Sequence, residues 1–132
     1  MTEATDDGLR YSDEHLWFRQ DDAVVTAGVT EKIARILTLV TAVELPAVDA
    51  RLSPRDEVAV IESQKATIVV EAPVGFRVLA VNEDVLKDPM LVRTDPYGRG
   101  WLLGVELESG GWDRLLDAAA YRLVTADVKE KR

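Results

Sequence analysis

The sequence predicts a mostly β protein, a flattened β-barrel or sandwich of two small sheets, with short helices after Thr30 and at the C-terminus. Three observations carry that expectation. Short β-branched and apolar runs follow one another through the middle of the chain, bounded by turn residues, as in antiparallel sandwiches and barrels. Helical periodicity is confined to two stretches. The 132 residues, 47% of them hydrophobic, are enough for one core and too few for two.

Taken in order, residues 1–10 and 125–132 read as polar tails with too few apolar groups to repay ordering, which leaves residues 11–124 as the globular domain. Strands are expected at Leu16–Phe18, Ala23–Thr26, Leu39–Leu45, Val58–Ile61, Thr67–Val70, Val78–Val81 and Trp101–Leu107. Thr30 can cap a helix over Glu31–Leu37, with Ile33, Ile36 and Leu37 on one face. Trp112, Leu115, Leu116, Ala119 and Leu123 recur at helical spacing after two glycines, in a segment broken near Asp117. Between them, Asn82–Asp95 contains Pro89 and little alternation, so it reads as loop with at most one helical turn.

Charge and cysteine usage narrow the function. With 24 acidic against 16 basic residues the net charge is −8, which disfavours nucleic-acid backbones and anionic membrane surfaces as partners. The absence of Cys excludes disulfide scaffolds, thiolate metal sites and cysteine nucleophiles, and a single His removes His-rich metal sites. The opening residues are acidic rather than basic then apolar, unlike a signal peptide, and no apolar run reaches membrane-spanning length, so a cytoplasmic protein is expected. An enzyme is accordingly not the first expectation.

Two segments echo one another. Val43-Glu44-Leu45-Pro46 and Val70-Glu71-Ala72-Pro73 are each followed by an apolar strand, as two related halves would be, with Ser63 to Ala66 at the joint; chance repetition of Glu-x-Pro explains them equally well. The joint is the most informative segment of the chain. Two strong strand patterns flank Glu62-Ser63-Gln64-Lys65-Ala66, placing Lys65 on a tight exposed hairpin turn. Most lysines in turns are simply solvated. The functional alternative is an ε-amine that carries an acyl group as an amide, losing its charge and gaining a long flexible arm.

At this point the sequence resembles the glycine-cleavage H proteins, lipoyl carriers of the wider biotinyl/lipoyl class. The likeness runs from Tyr11 to Tyr121 and includes Y-x-x-E-H-x-W at Tyr11–Trp17, G-V-T at Gly28–Thr30, V-E-L-P at Val43–Pro46, E-S-x-K-A at Glu62–Ala66, A-P-V at Ala72–Val74, V-N at Val81-Asn82, D-P-Y-G-x-G-W-L at Asp95–Leu102 and L-L-D-A-x-x-Y at Leu115–Tyr121. The resemblance implies the hybrid barrel-sandwich fold and an N6-lipoyllysine at Lys65. Glu62, Ser63, Gln64 and Ala66 are then the residues recognised around it. Biotin carriers place Met on both sides of their lysine, whereas Gln64 and Ala66 stand here. The protein would be a carrier whose covalent lipoate supplies the chemistry. Implied partners are a lipoate-protein ligase or lipoyl transferase, dihydrolipoamide dehydrogenase, and the enzymes that load and unload the arm; no metal, nucleic acid or membrane is expected.

Departures from the family pattern bear on the cargo. Glycines common in the family are replaced at Thr38, Asp49, Arg55, Ala59 and Phe76, with Gly75 beside the last. Three positions that line the arm's cleft in glycine-cleavage H proteins also differ. A Glu between His and Trp is Leu16, a His or Tyr is Lys32, and an Asp after the modified lysine is Val69. A cationic aminomethylated arm needs carboxylates or other acceptors when shielded from water. The exchange of two carboxylates for Leu and Val therefore predicts a neutral or anionic cargo, such as sulfur species handled with a heterodisulfide-reductase-like complex, as in the lipoate-binding proteins of bacterial sulfur oxidation. The aminomethyl carrier of glycine cleavage, and an interaction module without lipoate, are the alternatives.

Other residues have simpler roles. His15 has no second imidazole or thiolate to share a metal with and is expected in a structural hydrogen bond. Trp17 and Trp101 are expected in packing, Asp95 to Gly98 in a shaped turn, and Asp13, Glu14 and Asp21-Asp22 on a solvated face.

Overall fold

A computed structural model describes residues 8–123, so most of both expected tails lies outside the described residues. The described residues form two antiparallel sheets with short helices and no closed barrel. Sheet one contains β1 (Arg10–Tyr11), β2 (Leu16–Asp21), β3 (Val24–Val29), β5 (Arg51–Leu52), β8 (Phe76–Val81) and β9 (Leu103–Leu107) in the order β1-β2-β3-β9-β8-β5. Sheet two contains β4 (Val40–Glu44), β6 (Glu57–Ser63) and β7 (Thr67–Glu71) in the order β4-β6-β7. The helices are α1 (Glu31–Ile36), α2 (Glu83–Lys87), α3 (Leu91–Thr94) and α4 (Gly111–Arg114), and residues 118–123 are also helical.

Alternation decides which side chains meet. Phe18 of β2, Val29 of β3, Ile61 of β6, Val70 of β7, Val78 of β8 and Leu103 of β9 are all buried to 1% exposure or less and belong to one cluster spanning both sheets. Each such side chain contributes ~1.5–3 kcal/mol by leaving water. A second cluster of Tyr11, Trp17, Ala118 and Tyr121 attaches the C-terminal helical residues to β1 and β2, with the Tyr11 and Tyr121 rings stacked at 4.5 Å.

Thr30 caps α1 as expected, its side-chain oxygen accepting from the backbone of Lys32. Ile33 and Leu37 turn inward, but Ile36 is 58% exposed and Ala34 is buried in its place. The residue spacing of Ile33 and Leu37 selects one stripe, and Ile36 falls outside it. Asn82–Asp95 is not a loop: it holds both α2 and α3, separated at Pro89. Asn82 starts α2 by accepting from the Asp84 backbone while its amide donates to the carbonyls of Arg99 and Trp101 at 2.8 and 2.7 Å. The C-terminal segment breaks where expected. After α4, Leu116 pairs with Tyr11 as an isolated bridge before the helix resumes at 118.

The two echoed segments occupy matching places. β4 and β7 flank β6 on either side, both antiparallel to it, and end in Glu44 and Glu71 at the same margin of the sheet. The β6–β7 turn lies at the opposite margin. Two of the replaced family glycines explain themselves by backbone angle: Asp49 and Arg55 have φ of 74° and 79°, in the left-handed region that glycine occupies most easily.

Candidate functional site: the turn between β6 and β7

The pairing of β6 with β7 runs Ile61 with Ile68 and Glu62 with Thr67, which leaves Gln64 and Lys65 alone at the tip. Four hydrogen bonds hold this tip. The Ser63 amide donates to the Ala66 carbonyl at 2.8 Å. Ser63 Oγ donates to the same carbonyl at 2.9 Å and accepts from the Ala66 amide at 3.2 Å. The Gln64 amide donates to the Leu39 carbonyl at 2.9 Å, fastening the turn to the segment leading from α1 into β4. On the neighbouring strand Thr41 Oγ1 donates to the Glu62 carbonyl at 3.2 Å.

Lys65 is exposed, and among the described residues it enters no ion pair or hydrogen bond. Gln64 beside it is exposed; Glu62, Ser63 and Ala66 are half-buried. The result is a solvated amine on a backbone post that is fixed from two sides. Such a post fits a covalent acyl group, because an amide formed there meets no neighbour and displaces no salt bridge.

The three expected cleft residues are not equivalent. Val69, on β7, is 43% exposed and shares the outward face of the strand with Thr67. Lys32, in the first turn of α1, is half-buried and its charge lies close enough to His15 to lower that imidazole's pKa. Leu16 is 1% exposed inside the main core cluster, so its side chain lines no surface cleft. Leu16 is also the residue whose backbone closes on Ser12, its amide donating to Ser12 Oγ at 3.0 Å.

His15 takes the structural role expected of it. Its Nδ1 is 2.8 Å from the Tyr121 hydroxyl, which is in turn 2.8 Å from Thr30 Oγ1, the cap of α1. Burial first, and then the Lys32 charge, hold its pKa below the usual 6.5, with Asp13 opposing them. The Asp95 to Leu102 segment is a tight loop around one residue. Asp95 accepts from the Arg99 amide through its carboxylate and from the Gly98 and Gly100 amides through its carbonyl, while Trp17 Nε1 donates to the Pro96 carbonyl at 3.1 Å. Trp17 is fully buried and Trp101 half-buried, both in the second cluster.

The family model described as "Glycine cleavage H-protein" matches residues 9–128. The chain belongs to the glycine cleavage H-protein family. A "Glycine cleavage system H protein" of Pseudoalteromonas atlantica is 42% identical over 115 residues, 86% of this chain and 89% of that one. A "Probable glycine cleavage system H protein" of Natronomonas pharaonis is 43% identical over 112 residues, 85% and 89% of the two chains. The crystal structure of an H protein from Mycobacterium marinum superposes with a TM-score of 0.74 at 29% identity, covering 86% of this chain and 93% of that one.

H proteins carry a covalently attached lipoate on a lysine and are carriers rather than enzymes, and this H-protein-family chain is a lipoyl carrier in that sense. None of the relatives just named bears a sulfur-oxidation description. No helix among the described residues is long and apolar enough to cross a membrane.

Proposed function

We propose that Lys65 is the lipoylated residue and that the protein carries the aminomethyl group between glycine decarboxylase and aminomethyltransferase, with dihydrolipoamide dehydrogenase and a lipoate-protein ligase or lipoyl transferase as further partners. The supporting observation is the pinned turn: a solvated Lys65 on a turn fastened by the Ser63–Ala66 and Gln64–Leu39 bonds, within the E-S-x-K-A segment that resembles the family's attachment motif. When bound, the lipoyl group supplies a dithiol that accepts and releases cargo. The chain's own residues present and orient it. Ser63 fixes the turn that enters the ligase, Glu62 and Gln64 offer it a carboxylate and an amide, and Ala66 leaves the lysine stem unobstructed.

A second reading is favoured by the cleft positions. An exposed apolar Val69 and a half-buried Lys32 provide no carboxylate of their own for a cationic cargo. That composition suits sulfur species exchanged with a heterodisulfide-reductase-like complex. The experiment that separates these readings begins with intact mass. Expression with lipoate and ligase is expected to add one lipoyl increment that Lys65→Arg abolishes; a native chain that stays unmodified would refute the carrier assignment of Lys65. The lipoylated protein is then combined with glycine decarboxylase and aminomethyltransferase. Glycine-dependent turnover is the expected result, and its absence with full lipoylation would transfer support to the sulfur cargo.

A further inference from the structure

The strand that leads away from Lys65 is an open edge. In sheet two β7 pairs with β6 alone, and among the described residues no strand lies beside its other side. Parity along β7 shows which backbone groups face out. The Ala66 carbonyl and the Ala72 amide both bond back across the hairpin, to Ser63 and Asp56, so the groups of residues 68 and 70 point the same way and those of 67, 69 and 71 point away. At residue 71 the outward amide is met by a side chain, Glu14 Oε1 at 3.3 Å. At Thr67 and Val69 no partner among the described residues meets the outward amide or carbonyl, and both residues are exposed. Exposed β-branched edges of this kind are ordinarily blocked by a charge, a bulge or a covering loop.

We propose that this edge is a docking strand, to which an arm-handling enzyme adds an extended basic segment by backbone pairing at Thr67 and Val69. The inference rests on the assignment of Lys65 as the carrier residue. Charge selects the occupant. Glu14, Asp13, Glu57, Glu62 and Glu71 surround the edge, against Arg55, an Arg114 already paired with Glu108, and a Lys65 whose charge disappears on acylation. Past the far end of β7 opens a cleft of about 450 Å³, to which Asp13, Glu14 and Glu71 contribute carboxylates and Arg55 and Arg114 guanidinium groups. A partner strand running along β7 would seat an apolar side chain on Val69 and a Lys or Arg at that cleft, about 20 Å from the carrier lysine at ~3.3 Å per residue. A second copy of this chain is disfavoured by its own net charge of −8.

Val69→Pro removes an outward amide without touching a bond to β6, and Val69→Thr keeps that amide as the control. Both are made in lipoylated form, and their mass increments are checked first, so that failure of the Lys65 assignment is seen separately. Purified aminomethyltransferase is the probe. Binding to Val69→Pro is expected to weaken at least tenfold relative to Val69→Thr, more steeply at low salt, while the native protein shows slowed exchange of the Thr67 and Val69 amides only in the complex. Equal binding by the two variants, or unprotected amides in the complex, overturns the proposal. So does protection that grows with protein concentration alone, since the occupant is then a second copy. Should Val69→Pro fail to fold, amide exchange in the native complex decides.

Discussion

The Tyr121 hydroxyl lies 2.8 Å from Nδ1 of His15 and joins the C-terminal helical residues to the start of α1 through Thr30. In the neutral Nε2–H tautomer of His15, Nδ1 accepts, and the hydrogen bonds can run in one direction: the Lys32 amide donates to Thr30 Oγ1, Thr30 to Tyr121, and Tyr121 to Nδ1. A protonated Nδ1 can only donate. It reverses the bond to Tyr121, whose hydroxyl must then accept from His15 and direct its own hydrogen elsewhere.

Stability should therefore respond to acid. The folded pKa of His15 lies below its unfolded value of 6.5, so this contribution is complete above 6.5 and declines as pH falls from there through the folded pKa. Urea midpoints measured between pH 8 and 5 check it. The decline attributable to His15 should vanish in His15→Gln.

Tyr121→Phe keeps the stack on Tyr11 and deletes the hydroxyl between His15 and Thr30. Leaving buried groups unpaired costs about 1–3 kcal/mol. Chemical denaturation should show that loss, with little change in the slope of unfolding free energy against urea.

Asn82 is 4% exposed and makes three hydrogen bonds, capping α2 and holding the Arg99 and Trp101 carbonyls. Asn82→Ala is expected to cost about 2–4 kcal/mol, combining a lost cap with unpaired carbonyls. Thermal unfolding reads the change. Asn82→Asp, which keeps the cap acceptor but sets a carboxylate oxygen against the Arg99 and Trp101 carbonyls, should lose at least as much as Asn82→Ala.

Arg55 sits at φ 79° and Asp49 at φ 74°. Arg55→Gly should raise stability by up to about 1 kcal/mol, because a left-handed residue with a Cβ is strained by roughly 1–2 kcal/mol and glycine gives back part of that in chain entropy. Asp49→Gly should gain less, since Asp tolerates this region and its carboxylate receives Arg77 at 3.3 Å. Differential scanning calorimetry of both variants tests the order.

Ser63→Ala removes both hydroxyl ties to Ala66 while leaving the amide-to-carbonyl bond. The expected result is a stability loss of about 1 kcal/mol and slower lipoylation, read as a lower kcat/KM for the ligase. A ligase rate equal to that of the native chain would show that the turn needs no pinning.

What was legible in the sequence is what local chemistry decides. Strand alternation on both sides of Ser63 to Ala66 places Lys65 at a hairpin tip, and Thr30 caps its helix because its hydroxyl reaches the Lys32 amide. Helices α2 and α3 were not legible because five and four residues are too few to show a helical period. A signal was present even so: Asn82 followed by Glu83 and Asp84 is a cap and an acidic first turn. Ile36 misled because helical spacing alone leaves the width of the buried stripe open. Leu16 misled for a different reason. Likeness to cleft residues elsewhere fixes a position along the chain, while burial depends on how β2 packs against the rest of the core.

The tie between Gln64 and Leu39 has a consequence for delivery. An arm rooted on a wandering loop would spread its tip through a solid volume and dilute it. Rooted on a pinned turn, an arm on Lys65 would keep its tip within one arm's length of a fixed point. Its effective concentration at a docked active site then depends on where that site sits relative to that point. Placement of the partner, more than affinity for the cargo, would set how quickly each transfer is attempted.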